Sequence, residues 1–224
     1  MSGVVTAVAA PTRRRTQAER RSATRTRLVE AMVRSLAEHG YAATTAKVVL
    51  AEAGVSAGGM YRHFPSMLDL VVAAAEQIRT DQFAEFRAGL AALGELGEEE
   101  CIELLRAACR RPVNGAWYDL MLAARTDAEL RSRLRGFTES YHDEILAFAR
   151  ALPVADAWDP DAFATAVFTL VHTLDGEAIT AVLHPQPELE AARTAMLAAM
   201  LRGETVPGAP EVSARGSSPA APPR

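Results

Sequence analysis

Thr45, Lys47, Ser56, Tyr61 and His63 lie close together in the chain and share one chemical capacity. Hydroxyl, ammonium, phenol and imidazole groups donate hydrogen bonds to phosphate oxygens and base edges, the contacts by which a protein holds and reads a nucleic acid. Ala57, Gly58 and Gly59 stand among them, and side chains that small let a helix approach another surface closely.

The elements that position these groups are marked by their own boundary residues. Thr45 is a candidate N-cap for a short helix, its hydroxyl accepting from amides of the first turn. Gly54 tolerates the left-handed backbone that ends such a helix. Ser56 caps a second short helix, predicted to end at Phe64, because the residue before a proline disfavours helical geometry. Ser66 to Asp69 then opens a longer helix, predicted to run to about Leu93, with acid in its positive first turn. Val49, Val55, Met60, Phe64 and Leu70 would bury between these helices, leaving Lys47, Ala57, Gly58, Tyr61 and His63 outward. Two short helices joined by a tight glycine-containing turn form a helix-turn-helix, whose second helix enters the major groove of DNA.

Thr44-Thr45, Ala53-Gly54-Val55-Ser56 and Tyr61-Arg62-His63-Phe64-Pro65-Ser66 together resemble the N-terminal domain of the tetracycline-repressor (TetR) family of bacterial regulators. The match departs from the family pattern at Met67 and Ala57, where lysine is common, and at Leu50, where a small residue is usual. The resemblance implies a sequence-specific DNA-binding transcriptional regulator. Its implied form is a homodimeric repressor, released from a palindromic double-stranded operator by a small, hydrophobic effector. An activator of the same family, or a small-molecule-binding or adaptor dimer with a weakened reader, is the alternative. The implied DNA-binding residues are Arg14, Arg15, Thr45, Lys47, Ser56, Ala57, Gly58, Gly59, Tyr61 and His63. The family's effector cavity lies among middle helices, which here makes Trp117, Tyr118, Met121, Leu122, Tyr141, His142, Phe168 and His172 the ligand-binding candidates.

Charge supports the same division of labour. The whole chain is slightly acidic, with a net charge of −4. Residues 1–80 nevertheless hold 11 Lys or Arg against 6 Asp or Glu, a balance of +5, and the remainder holds 13 against 22, a balance of −9. A basic module on an acidic body fits local contact with phosphates rather than a uniformly adhesive surface. Arg13, Arg14, Arg15, Arg20, Arg21, Arg25 and Arg27 precede and enter the first helix, as a solvated run or as an arm that follows the DNA backbone.

The rest of the chain reads as helix, so the fold class is all-α. Thr16 to Glu19 is a capping box, and Leu28, Ala31, Met32 and Leu36 form the apolar stripe of the first helix, which ends at His39-Gly40-Tyr41. Periodic segments follow at about Glu98–Arg111, Asn114–Arg125, Ala128–Leu152, Pro160–Leu183 and Glu188–Arg202. The order is a disordered arm over 1–12, a reader over 13–82 with its motif at 45–64, a ligand-binding and dimerisation body over 83–203, and a disordered tail over 204–224. The last two helices are very apolar and are expected to pair with a second copy, since a symmetric dimer reads two half-sites.

Enzymatic readings find little support. No nucleophile elbow, phosphate loop or dinucleotide fingerprint occurs. His172 and Asp175 lie one helical turn apart, but no pattern supplies the remaining ligands of a stable metal site. No metal, cofactor or membrane partner is expected. Cys101 and Cys109 sit about 12 Å apart on one predicted helix, too far for a disulfide, and read as reduced buried thiols. No apolar run approaches the roughly 18 residues of a membrane span, and the expected location is the cytoplasm.

Overall fold

A computed structural model describes residues 16–93 and 97–204. Among them it contains nine α-helices and no strand: α1 (Gln17–Ala43), α2 (Ala46–Ala53), α3 (Ala57–Tyr61), α4 (Met67–Leu93), α5 (Glu98–Cys109), α6 (Pro112–Ala123), α7 (Ala128–Arg150), α8 (Pro160–Ala181) and α9 (Pro187–Leu201). The expected arm over 1–12, together with Arg13, Arg14 and Arg15, and the tail from residue 205 lie outside the described residues.

Two compact units emerge. The first holds the described residues through Glu85 together with Arg110–His142, and the second holds Phe86–Cys109 together with the described residues from Asp143. In the first unit, α1 packs on α2 and α6, and α2 on α3. Leu28, Met32, Leu36, Val49, Met60, Leu70, Leu120 and Leu130 are among its fully buried side chains. In the second unit, α5 packs on both α8 and α9 around Ile102, Leu174 and Leu197.

Local chemistry explains the helix boundaries. The Thr16 hydroxyl accepts from Glu19 N–H at 3.1 Å, while the Glu19 carboxylate accepts from Thr16 N–H at 2.7 Å, which completes the capping box of α1. Gly40 breaks α1 with φ 74° and ψ 170°, but helical geometry resumes for one more turn to Ala43. Thr44 closes that turn by donating from its hydroxyl to Gly40 O at 2.8 Å. Pro112 occupies the first turn of α6, so this helix starts two residues earlier than the periodicity alone predicts. Asp159 caps α8 by accepting from the Asp161 and Ala162 amides, both at 3.1 Å.

The reading helix differs from expectation at its end. α3 stops at Tyr61 instead of Phe64, and Arg62 and His63 form a turn in which both His63 N–H and Phe64 N–H reach Met60 O, at 2.8 and 2.9 Å. Two glycines lower the helical preference of so short a segment by roughly 1 kcal/mol each. The turn carries Phe64 inward, where it is 4% exposed. No helix of the described residues is long and apolar enough to cross a membrane.

Candidate nucleic-acid interface

Three caps build the reader. Thr45 adopts an extended backbone before α2, and its hydroxyl oxygen accepts from Val48 N–H at 3.4 Å. Gly54 closes α2 in the left-handed region at φ 62°, ψ 39°. Ser56 opens α3 by accepting from Gly59 N–H at 3.2 Å. In both capping residues the oxygen is used inward as an acceptor, which leaves the hydroxyl proton available to an outside acceptor such as a phosphate oxygen.

The side chains sort into an inner and an outer set. Val49, Met60 and Phe64 are buried, whereas Val55, expected to bury with them, is only half-buried. Thr45, Lys47, Ser56, Ala57, Gly58 and Tyr61 are exposed, Tyr61 at 59%. His63 is half-buried. Gly58 has open space where a Cβ would project. Gly59 differs, since a Cβ there would come within 2.7 Å of Val55 Cγ1 and 3.3 Å of Ser56 Oγ. Its missing side chain lets α3 close onto the turn, so the glycine pair has one outward and one inward member.

Basic groups frame this surface. Arg20, Arg21, Arg25 and Arg27 are exposed along α1. The Arg25 guanidinium lies 5.1 Å from the Phe64 ring centroid, a cation–π contact that ties α1 to the end of the reader. Arg62, absent from the residues singled out by sequence, donates from Nε to Gly58 O at 3.2 Å and is exposed beside the reading helix. Its place follows from the early end of α3. Burial, and then the positive charge of Arg21, Arg62 and Arg25, lower the pKa of His63 below the ordinary histidine value.

The ligand-binding candidates are divided between the two units. Trp117 and Tyr141 meet in an aromatic cluster of the first unit, with centroids 6.2 Å apart. Phe137 lies 5.0 Å from Trp117, and Phe83 lies 5.8 Å from Tyr141. Tyr118 is buried on α6, and His142 is half-buried beside Tyr141. Met121 and Leu122 are on the surface, at 38% and 54% exposure. Phe168 and His172 belong to the second unit, their rings 5.9 Å apart. Two clefts of the first unit, of about 310 and 580 Å³, are lined by none of the eight candidates. Arg25, Ala73 and Glu76 border both. Among the described residues no group of three or more His, Cys, Asp or Glu side chains could hold a metal ion.

An all-α chain with a capped helix-turn-helix and an outward basic frame defines a DNA-binding regulator. Residues 28–74 match the bacterial regulatory proteins of the tetR family. A transcriptional regulator of the HTH type from Mycobacterium tuberculosis is 37% identical over 194 residues, covering 84% of this chain and 97% of that protein. The HTH-type regulator CymR of Pseudomonas putida is 41% identical over 81 residues, 36% of this chain and 40% of its own length. The multidrug binding protein EbrR, solved in complex with ethidium, superposes with a TM-score of 0.59 at 26% identity, over 78% of this chain and 98% of EbrR. GusR of Salmonella enterica shares the fold, with a TM-score of 0.59 at 20% identity over 80% of this chain and 94% of GusR. The chain belongs to the TetR family of bacterial transcriptional regulators.

Proposed function

We propose that the chain is a homodimeric repressor that binds a two-fold related operator through its reader, residues 13–82, and is released by a small hydrophobic effector bound in its body, residues 83–203. The observation that carries the DNA-contacting half is the outward group of Thr45, Lys47, Ser56, Gly58 and Tyr61 on one capped helix-turn-helix. Thr45, Ser56 and Lys47 donate to phosphates, Ala57 and Gly58 allow the start of α3 to enter the groove, and Tyr61 reaches base edges or the backbone. Arg14 and Arg15 would extend these contacts from the arm. With no polar side chain on Ala57 or Gly58, sequence discrimination rests on Tyr61 and on DNA shape.

The dimer reading is supported by exposed apolar side chains of α8, of α9 and of the turn that follows α8. Val182 is 81% exposed, Leu183 90%, Leu189 44%, Ile179 43% and Met196 40%. Large apolar side chains left this exposed are the kind that an interaction surface covers. The effector reading is supported by the aromatic cluster around Trp117 and Tyr141, and by the ethidium complex of EbrR, which marks that relative as a binder of a flat aromatic molecule. An effector acts as inducer only if it binds the DNA-incompetent arrangement more tightly than the DNA-bound one.

A gel-shift titration of the full chain tests the function. The DNAs are its own upstream region and a scrambled control, each at two salt concentrations. Selective binding that weakens as salt rises is expected, because each neutralised phosphate releases condensed counterions. Equal and weak binding to both, together with no bound fragment in a genome-wide selection, would favour the adaptor reading instead.

A further inference from the structure

Arg106, Glu177 and Thr194 come from three different helices and are buried at one point of the second unit, at 4%, 5% and 6% exposure. Arg106 Nε, on α5, donates to Glu177 Oε1 of α8 at 2.6 Å. Its Nη1 donates to the Thr194 hydroxyl of α9 at 2.6 Å and also to the carboxylate of Glu103. Its Nη2 donates to Glu190 O of α9 at 3.1 Å. Arg193 Nη1 takes the second Glu177 oxygen at 3.0 Å, and the Thr194 hydroxyl reaches Glu103 Oε1 at 2.7 Å. Two cations thus meet two anions, and a rigid guanidinium fork serves acceptors on all three helices.

A network of this kind adds little to stability, because desolvating its charges offsets their attraction; fixing one arrangement among several is its best-attested role. α9 needs such a device. Leu197, Ala198 and Leu201 are buried on one side, while Leu189 and Met196 are exposed on the other. With apolar side chains on both faces, hydrophobicity selects weakly between them. Thr194 breaks the tie, since its hydroxyl sits on the inner face and is tolerated there only with partners.

We propose that Arg106 is the positioning residue that decides which faces of α8 and α9 turn inward, and therefore which apolar side chains are presented to a second copy of the chain. The second half of this statement rests on the dimer reading above. The network acts before association, within one chain, and the dimer surface is its consequence.

The test replaces both buried members with apolar groups, Arg106→Met with Glu177→Leu. The Arg193 and Glu103 side chains left behind are 29% and 54% exposed and can be hydrated. Thr194 keeps an acceptor in Glu190 O at 3.2 Å. The double variant should therefore keep its helicity, while its dimer dissociation constant in sedimentation equilibrium rises at least tenfold. Arg106→Lys, which keeps the charge but loses the fork, should raise the constant about threefold to tenfold and guards against a double variant that fails to fold. An unchanged constant in a folded variant overturns the proposal. Should the unmodified protein prove monomeric, the dimer reading falls, and the inward-face claim is decided separately by thiol labelling of Met196→Cys with Cys101→Ser and Cys109→Ala. Labelling slowed at least fivefold by the Arg106/Glu177 pair of changes supports the positioning role, and an unchanged rate overturns it.

Discussion

Arg133 of α7 donates from Nη2 to Oδ1 of Asp69, the third residue of α4. The other oxygen of that carboxylate accepts from the Ser66 hydroxyl at 2.7 Å, and Ser66 Oγ in turn accepts from Asp69 N–H at 3.1 Å. The acid that starts α4 is therefore held on both sides, by its own cap and by α7. Since α4 begins directly after the reading helix and Pro65, α7 grips the chain where it leaves the reader.

The ion pair is partly hydrated, with side-chain exposures of 44% and 24%, so its coupling should be no more than about 1 kcal/mol. Arg133→Ala is expected to weaken operator binding by less than about fivefold and to leave the fold intact. Asp69→Ala should cost more, because it also removes the acceptor of the Ser66 hydroxyl and the acid of the first turn, about 0.3–1 kcal/mol of stability. A double-mutant cycle in fluorescence anisotropy with labelled operator separates the two contributions. A zero coupling energy would remove Arg133 from the DNA-binding account.

Tyr61 is the largest outward side chain of the reader and is not needed by the core. Tyr61→Ala should lower operator affinity by roughly tenfold or more, about 1.4 kcal/mol, without altering dimerisation. Tyr61→Phe divides this loss between ring and hydroxyl. Unchanged affinity of the alanine variant would contradict the assigned contact.

The part of this site that was legible in the sequence is the part set by neighbours in the chain. The capping hydroxyls of Thr45 and Ser56 and the left-handed backbone of Gly54 act over three or four residues, so residue type and spacing suffice to place them. The end of α3 differs from the sequence expectation, since two glycines weaken the helix and Phe64 turns inward to a buried position after Tyr61. Gly59 looked like its neighbour Gly58, and only the approach of Val55 distinguishes their roles. For the ligand candidates, helical spacing gives aromatic residues but not the direction each helix faces. Trp117 consequently joins a buried cluster, while Leu122 on the same helix meets solvent. The Arg106 network joins residues 71 and 88 positions apart, with no local signature to announce it.

His63 gives the reader a pH dependence whose sign is fixed. Burial first, then repulsion from Arg21, Arg62 and Arg25, depress its folded-state pKa below the ordinary 6.5. The folded state therefore binds this proton more weakly than the unfolded chain does. The stability contribution is complete above pH 6.5 and is lost as pH falls through the depressed value. A DNA phosphate seated against the imidazole would offset the charge of Arg21, Arg62 and Arg25, the smaller causes of the shift, and binding would then take up a proton. Operator affinity should consequently increase between pH 7.5 and 6, and His63→Gln should flatten that increase. An identical pH slope in the two proteins would detach His63 from the phosphate contact.

Gly40 carries the last test, because its backbone and its surroundings both exclude a side chain. Its φ of 74° lies in the region L-residues rarely occupy, and a Cβ built there would fall 2.6 Å from Asp119 Oδ2 on α6. The kink sets the direction of the final turn of α1, which Thr44 fastens by donating to Gly40 O and by sharing a hydrogen bond with the buried Ser35 hydroxyl at 3.1 Å. From Thr44 the chain passes directly into the cap of α2. Gly40→Ala should therefore cost about 1–3 kcal/mol from the backbone alone. For a chain of this size that lowers the melting temperature by about 2–4 °C per kcal/mol. Adding Asp119→Ala removes the steric conflict but leaves the backbone cost, so the double variant should recover only part of the loss. Operator binding by Gly40→Ala should weaken even where the protein stays folded, since a redirected α1 turn carries α2 with it. Thermal denaturation followed by circular dichroism, paired with anisotropy at a temperature well below the transition, reads both effects; an alanine variant with unaltered melting and affinity would mean that the kink has no part in placing the reader.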